Sequence, residues 1–170
     1  MNVSIHKTIW VPTTEDIEKE EQWIEKEIQR IGMRELRALA KKASLIRKRA
    51  YQPYSKYSVG AAVLTKSGKI YASCNAETVS WTESDHAERS AISKAISEGE
   101  AKRSGRRFIV AIAVSHSGNS GPCGGCRQRI IEHCDNALVM DVDIMGSIER
   151  ITSLRILMPY SFTPTHLGMK

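Results

Sequence analysis

Two stretches decide how this chain folds: His86-Ala87-Glu88-Arg89, and further on Pro122-Cys123-Gly124-Gly125-Cys126. Each follows a polar loop and opens a predicted helix. One imidazole and two thiols occupy three corners of a tetrahedral zinc site, and the fourth corner stays open for water. Glu88, two residues after the histidine, is then free to carry protons. We therefore predict a catalytic Zn²⁺ centre with His86, Cys123 and Cys126 as metal ligands and Glu88 as catalytic residue.

The pattern H-x-E followed by P-C-x-x-C is typical of zinc-dependent nucleobase deaminases. C-x-x-C alone also suits a redox dithiol, and a lone histidine is usually a core or surface residue. A structural zinc site needs a fourth protein ligand, for which the sequence offers no obvious candidate. The start of a helix favours thiolates at Cys123 and Cys126. We interpret the remaining cysteines and histidines as small buried residues (Cys74, Cys134) and surface residues (His6, His116, His133, His166).

The composition indicates one soluble globular domain. The 170 residues are 41% hydrophobic and 26% charged, enough for a real core. No apolar run is long enough to cross a bilayer, and the first residues lack the pattern of a signal peptide. With cysteines at metal spacing, we expect a cytoplasmic protein without a membrane partner.

The net charge of +6 is unevenly distributed. Residues 15–27 hold seven acids and residues 34–49 hold seven bases. Two helices of opposite charge could pair with each other or meet another subunit. The basic helix motivates an alternative from another class, an RNA-binding or RNA-editing module. Without an Arg-Gly repeat or an aromatic-basic ribbon, we expect a solvated surface and no nucleic-acid partner.

Hydrophobic periodicity predicts helices alternating with strands. The predicted helices are 14–30 with Thr14 as N-cap, 33–49, 86–99, 123–133 and 153–157 with Thr152 as cap. The predicted strands are 57–65 and 70–75, joined as a hairpin, then 108–114 and 137–142, with a turn and a further short strand in 143–150. Residues 100–106 are predicted as a polar loop and 160–170 as an irregular tail. This order indicates an α/β sandwich with helices on a mixed sheet.

Four further segments give the chain a family resemblance: Pro53-Tyr54-Ser55-Lys56-Tyr57-Ser58-Val59-Gly60-Ala61-Ala62, Cys74-Asn75-Ala76-Glu77, Arg127-Gln128 after the second cysteine, and Leu157-Met158-Pro159-Tyr160-Ser161-Phe162. With the two metal half-sites, they resemble the cytidine deaminases of the small homotetrameric type over about residues 34–167. The resemblance implies a three-layer α-β-α sandwich around a mixed sheet of about five strands. We divide the chain into an N-terminal helical extension, 1–32, and a catalytic domain, 33–170.

The resemblance also implies roles for the matched positions. Asn75 and Glu77 would bind the ribose hydroxyls, since a sugar diol offers both donors and acceptors. The other substrate-binding positions that it implies are Tyr57, Trp81, Ala87 and Phe162. Phe162 would reach the pocket of a neighbouring subunit in a homotetramer. Arg89 would stand behind the metal ligands, in contact with them rather than with substrate.

The implied function is the zinc-dependent hydrolytic deamination of cytidine or deoxycytidine to the uridine product and ammonia, in pyrimidine salvage. Alternative substrates for the same reaction are a modified cytosine nucleoside, CMP or a blasticidin S-like antibiotic. This chain departs from its small relatives at His86, where most of them have Cys, and at Tyr57, where they have Phe. Glu83 and Asp85 beside the pocket argue against a substrate phosphate.

Overall fold

The computed structural model describes residues 12–118 and 121–168. Its helices are α1 (Thr14–Ile31), α2 (Met33–Arg47), α3 (Ala87–Ser97), α4 (Glu100–Ser104), α5 (Gly124–Ile131) and α6 (Leu154–Leu157). Its strands are β1 (Gly60–Thr65), β2 (Ile70–Cys74), β3 (Ile109–Ser115), β4 (Leu138–Val142) and β5 (Ile148–Ser153). Two short 3₁₀ helices, Trp81–Glu83 and Pro164–Leu167, lie in loops. The predicted alternation of helices and strands is confirmed.

The five strands form one mixed sheet in the order β2-β1-β3-β4-β5. Only β3 and β4 run parallel, and α5 connects them. The other neighbours are antiparallel, including the predicted hairpin of β1 and β2. A parallel pair needs a crossover connection, so the helix that opens at the cysteine pair also crosses from the central strand to its neighbour.

Alternating side chains of the buried strands supply two separate apolar cores. On one face, Ala62 and Leu64 of β1 pack with Leu36 and Leu39 of α2. On the other face, Ala61 and Val63 of the same strand pack with residues of α3, α5 and α6. Successive residues of a strand point to opposite faces, so one apolar run serves both layers. The predicted three-layer α-β-α sandwich is therefore confirmed.

Gly60 sets the distance between α2 and the sheet. A Cβ at this position would lie 2.2 Å from the carbonyl oxygen of Ala43 and 2.6 Å from the backbone nitrogen of Arg47. Only glycine permits so close an approach of helix backbone to strand backbone. This contact fixes the first strand, and the loop before it, against the helix.

Four local predictions were wrong. The cap of α1 is Thr13, whose side chain accepts from the Asp16 amide in a capping box, and not Thr14. The polar stretch predicted as a loop contains α4, and the strand after β4 extends to Ser153. Consequently Ser153, rather than Thr152, caps α6 by accepting from the Ile156 amide.

The N-terminal helix α1 contains no fully buried residue. Its half-buried residues Trp23, Ile24, Ile28 and Ile31 recur at helical spacing and pack against the core beneath α2. Gly32, at φ 89°, separates the two helices. The division at residue 32 stays a prediction. Among the described residues, no helix is long and apolar enough to span a membrane.

Candidate metal centre and active site

Three side chains meet where two helices begin. His86 is the N-cap of α3, Cys123 is the N-cap of α5, and Cys126 lies in the first turn of α5. The His86 Nδ1 atom lies 3.4 Å from the Cys126 sulfur and 3.6 Å from the Cys123 sulfur. Within residues 12–118 and 121–168, this is the one group of three or more His, Cys, Asp or Glu side chains with metal-binding geometry.

The spacing of these donor atoms fits a tetrahedral zinc ion. Bonds of about 2.0 Å to nitrogen and 2.3 Å to sulfur place neighbouring ligand atoms about 3.5 Å apart. The observed separations of 3.4 and 3.6 Å bracket that value. An imidazole nitrogen and two sulfurs also suit zinc, whereas magnesium and calcium prefer oxygen donors. Because the protein supplies three donors, the fourth position is left for a small molecule.

Cys126 is fully buried, whereas His86 and Cys123 are exposed. Burial, then the negative charge of Glu88 and the neighbouring Cys123, raise the pKa of the Cys126 thiol far above its ordinary value. Burial therefore opposes the thiolate that the helix start is predicted to favour at Cys126, and that preference stays a prediction. A cation must displace its proton, which couples metal binding to proton release.

Glu88 lies in the first turn of α3 and is 4% exposed. It lines a cavity of about 340 Å³ together with His86 and Cys123. A carboxylate is rarely so buried unless it serves a partner or a reaction. The cavity is large enough for a small organic molecule, and its wall combines this carboxylate with two of the three donor residues, His86 and Cys123.

Most of the predicted substrate residues line the same cavity. Tyr57, Asn75, Glu77, Trp81 and Ala87 all contribute to its wall. They come from the loop before β1, the residues after β2, the 3₁₀ helix and the start of α3. The structure thus brings five separate sequence signals to one site, although their individual roles stay predictions.

The side chains of Asn75 and Glu77 make several hydrogen bonds to the loop before β1. The Asn75 side chain accepts from the Val59 amide at 2.8 Å and donates to the Tyr57 carbonyl at 2.9 Å. The Glu77 carboxylate accepts from the amides of Tyr54 and Ser55 and from the Ser55 hydroxyl. Asn75 keeps one N–H and one lone pair, and Glu77 keeps one lone pair on Oε1, for a ligand.

The Glu77 carboxyl is held in its ionised form. Burial opposes ionisation, but hydrogen bonds from Ser55 and Tyr54 outweigh burial and bring the pKa below its ordinary value. An ionised acceptor at this end of the cavity favours hydroxyl donors on a ligand and disfavours a second anion.

Phe162 and Arg89 lie outside this cavity. Phe162 is 58% exposed, stacks on His166 and accepts at its carbonyl oxygen from the Gln128 side chain. Arg89 lines a second cavity behind the donor cluster, together with Cys123, Cys126 and Arg129. Arg89 thus lines a different cavity from Glu88.

His116 is one of several residues of the cavity wall that were not predicted as site residues from the sequence. His116 was predicted on the surface, yet it is 5% exposed and lines the cavity.

The surface prediction was also wrong for His133, which stacks on Phe108, and correct for the exposed His166. His6 lies outside the described residues. Cys134 is buried as predicted, and Cys74 is half-buried.

A three-layer sandwich with a His-Cys-Cys cluster at two helix starts and a buried carboxylate beside it defines the class of zinc-dependent deaminases. The family described as "Cytidine and deoxycytidylate deaminase zinc-binding region" matches residues 33–142. The chain belongs to this family.

Relatives match most of the chain. A cytidine deaminase of Sporosarcina psychrophila is 39% identical over 140 residues, which cover 81% of this chain and 96% of the relative. One of Halalkalibacterium halodurans is 41% identical over 128 residues, 74% of this chain and 92% of the relative. The crystal structure of a cytidine deaminase from Burkholderia pseudomallei, 36% identical, superposes with a TM-score of 0.66 over 74% of this chain and 97% of that one.

Proposed function

We propose that this protein hydrolyses cytidine or deoxycytidine to the uridine product and ammonia. The observation that carries the proposal is the position of Glu88, which is buried and lines the cavity together with His86 and Cys123 of the His-Cys-Cys cluster. The relatives named as cytidine deaminases support the choice of substrate. The reaction would serve pyrimidine salvage in the cytoplasm.

Zinc is the metal that the donor set fits. His86 Nδ1 and the sulfurs of Cys123 and Cys126 would hold it. When bound, Zn²⁺ supplies Lewis acidity that brings the pKa of water to about 7. Arg89, behind the ligands, would stabilise the ionised cysteines rather than touch substrate.

Glu88 would move the protons of the reaction. Its carboxylate takes a proton from the attacking water and delivers it to N3 of the pyrimidine, which makes C4 more electrophilic. A second proton passes through the same carboxylate to the exocyclic amine, which leaves as ammonia. Burial suits this role because bulk water does not compete for a carboxylate that is only 4% exposed.

The rest of the cavity would orient a nucleoside. Asn75 and Glu77 offer the spare donor and acceptors described above to the sugar hydroxyls, and Tyr57, Trp81 and Ala87 would contact sugar or base. Phe162, exposed and outside its own cavity, would complete a neighbour's site in a homotetramer of catalytic domains comprising residues 33–170, with residues 1–32 as an extension.

Turnover of a substrate panel tests the proposal. We expect the purified protein to deaminate cytidine and deoxycytidine, measured by ammonia release, and to act poorly on CMP, because Asp85 and Glu77 give the cavity negative charge. Blasticidin S and free cytosine complete the panel. Turnover of CMP alone, or of blasticidin S alone, would contradict the substrate assignment.

Metal analysis tests the zinc site separately. We expect about one zinc per chain in the wild type and loss of most of it in Cys126→Ser, since one of three protein ligands is weakened. Cys74→Ser is the matched control, because Cys74 is half-buried and outside the cluster. Equal zinc content in the two variants would exclude Cys126 as a ligand.

A further inference from the structure

One edge of the sheet, along β2, is open to a further strand. Among the described residues, β2 has β1 on one side and no strand on the other. The backbones of Lys69 and Asn75, which flank β2, hydrogen-bond to the residues opposite them at either end of β1. Bonded and unbonded residues alternate along an antiparallel ladder, so Tyr71 and Ser73 also bond to β1. The same alternation leaves the residues between them unpaired.

Ile70 and Ala72 are the residues whose N–H and C=O groups point away from β1. No hydrogen bond joins these groups to another described residue. The two residues lie about 6.8 Å apart along the strand, since an antiparallel strand rises about 3.4 Å per residue. Free groups at this repeat match the backbone of another extended chain, which is how peptides add a strand to a sheet edge.

Three cations surround a cleft of about 310 Å³ at this edge. Lys42 lies on α2, Arg49 follows α2, and Lys94 lies on α3, so cations come from the layers on both faces of the sheet. None of them forms an ion pair with a carboxylate among the described residues. The rest of the cleft wall is apolar and consists of Leu45, Ile46, Ile70 and Ala72.

We propose that this edge binds an acidic peptide segment in an extended conformation, as a strand added beside β2. Its backbone exchanges hydrogen bonds with Ile70 and Ala72, and its carboxylates pair with the three cations. Side chains of an added strand alternate between the α2 face and the α3 face, so acids on both of its faces meet positive charge. The inference goes beyond the proposed deamination, since none of these residues lines the catalytic cavity.

Two other occupants fit the cleft less well. A second copy that pairs through its own β2 would bring the same three cations to the same cleft, and like charges at an edge oppose pairing. A nucleic acid would meet the positive charge, but no aromatic side chain among the described residues lines the cleft for a base to stack on. A sugar-phosphate backbone also cannot continue the alternation of N–H and C=O groups.

Binding of a synthetic peptide tests the charges. The probe is fluorescein-labelled Thr-Glu-Glu-Val-Glu-Glu-Thr-amide, which has two acids on each face of an extended strand, titrated with the purified full chain. We expect the dissociation constant to rise at least about tenfold in Lys42→Glu with Lys94→Glu, since attraction becomes repulsion on both faces. Lys26→Glu with Lys41→Glu, exposed and outside the cleft, changes the net charge equally and should raise it much less. Equal losses in the two double variants would overturn the inference.

Backbone pairing is tested on the unmodified protein, which also covers the case in which a variant fails to fold. At saturating peptide, hydrogen exchange of the Ile70 and Ala72 amides should slow at least about tenfold. Exchange at Tyr71 and Ser73, whose amides already bond to β1, should change little. Unchanged exchange at Ile70 and Ala72 would contradict strand addition, as would equal binding of a peptide that is N-methylated at every internal amide.

Two further outcomes would assign the edge to another occupant. Protection of Ile70 and Ala72 that grows with protein concentration, without peptide, would indicate a second copy. Displacement of the labelled peptide by oligouridylate at a lower concentration than by unlabelled peptide would indicate a nucleic acid. Either result overturns the inference, whereas a failure to deaminate cytidine would overturn only the proposed function.

Discussion

At the residue scale, Glu88 is the most informative position because it is a buried carboxylate that lines the cavity together with His86 and Cys123. We expect Glu88→Gln to keep its zinc and to lose at least about a hundredfold in kcat, since the amide fills the same space but cannot accept or release the proton. Glu98→Gln, at the other end of α3 and exposed, is the matched control. Zinc loss in Glu88→Gln would instead make Glu88 a metal ligand.

The sequence predicted the donor residues themselves because H-x-E and P-C-x-x-C are local patterns with a direct chemical meaning. His116 carries no such pattern: it is a single histidine after a strand, and only the pairing of β3 with β1 places it beside Tyr57. The hydrogen bonds of Asn75 and Glu77 to the loop before β1 were likewise outside the reach of sequence, because they join residues 16 to 23 positions apart.

At the element scale, the short helix α4 depends on a buried carboxylate. Glu100 is fully buried and accepts from the Tyr71 hydroxyl at 3.0 Å, the Ser104 hydroxyl at 2.5 Å and the Arg103 guanidinium at 2.6 Å. Burial opposes its ionisation, but these bonds and one from Ser67 bring the pKa of Glu100 to about 2. The helix is thereby tied to the edge strand β2.

This network makes stability depend on pH with a defined sign. The folded pKa of Glu100 lies below its ordinary value of 4.5, so the stabilisation is complete above pH 4.5 and is lost as the pH falls to 2. We expect Glu100→Gln to lower the free energy of unfolding at pH 7 by about 1–3 kcal/mol. Denaturation with urea from pH 7 down to 3 measures the difference.

The difference between wild type and Glu100→Gln should shrink as the pH falls, while the exposed Glu98→Gln should match the wild type throughout. If the difference in the free energy of unfolding stayed constant with pH, the charge of the Glu100 carboxylate would contribute nothing to stability. A loop was predicted here because α4 is only five residues long and four of them are polar. Its stability comes from Tyr71, 29 positions away, rather than from its own periodicity.

At the scale of the whole molecule, α1 is an added layer on a domain that the matched family covers from residue 33. Its contact with the core consists of half-buried side chains, and Glu20 adds bonds to Asn136 and Arg155. Sequence predicted the helix from its capping and periodicity. It could not predict the surface against which the helix packs, because opposite charges on α1 and α2 also suit pairing between subunits.

We expect the double substitution Ile24→Ser and Ile28→Ser to lower the free energy of unfolding by about 2–3 kcal/mol, because two half-buried aliphatic side chains are lost. Glu25→Ser with Gln29→Ser, one position further round the same helix and exposed, should change it little. Thermal denaturation measures the stability of both double variants, and cytidine turnover measures their activity. Equal stability of the two double variants would mean that α1 is not docked in solution.

The three metal donors are far apart along the chain: His86 is held by α3, whereas both sulfurs belong to α5, beyond the central strand. A nascent chain that has been synthesised only as far as β3 carries one of them. A metal ion that needs all three donors would therefore bind only after the parallel crossover is made, too late to guide the early steps of folding during translation. Metal content would accordingly report how much of a cellular pool of this protein has finished folding.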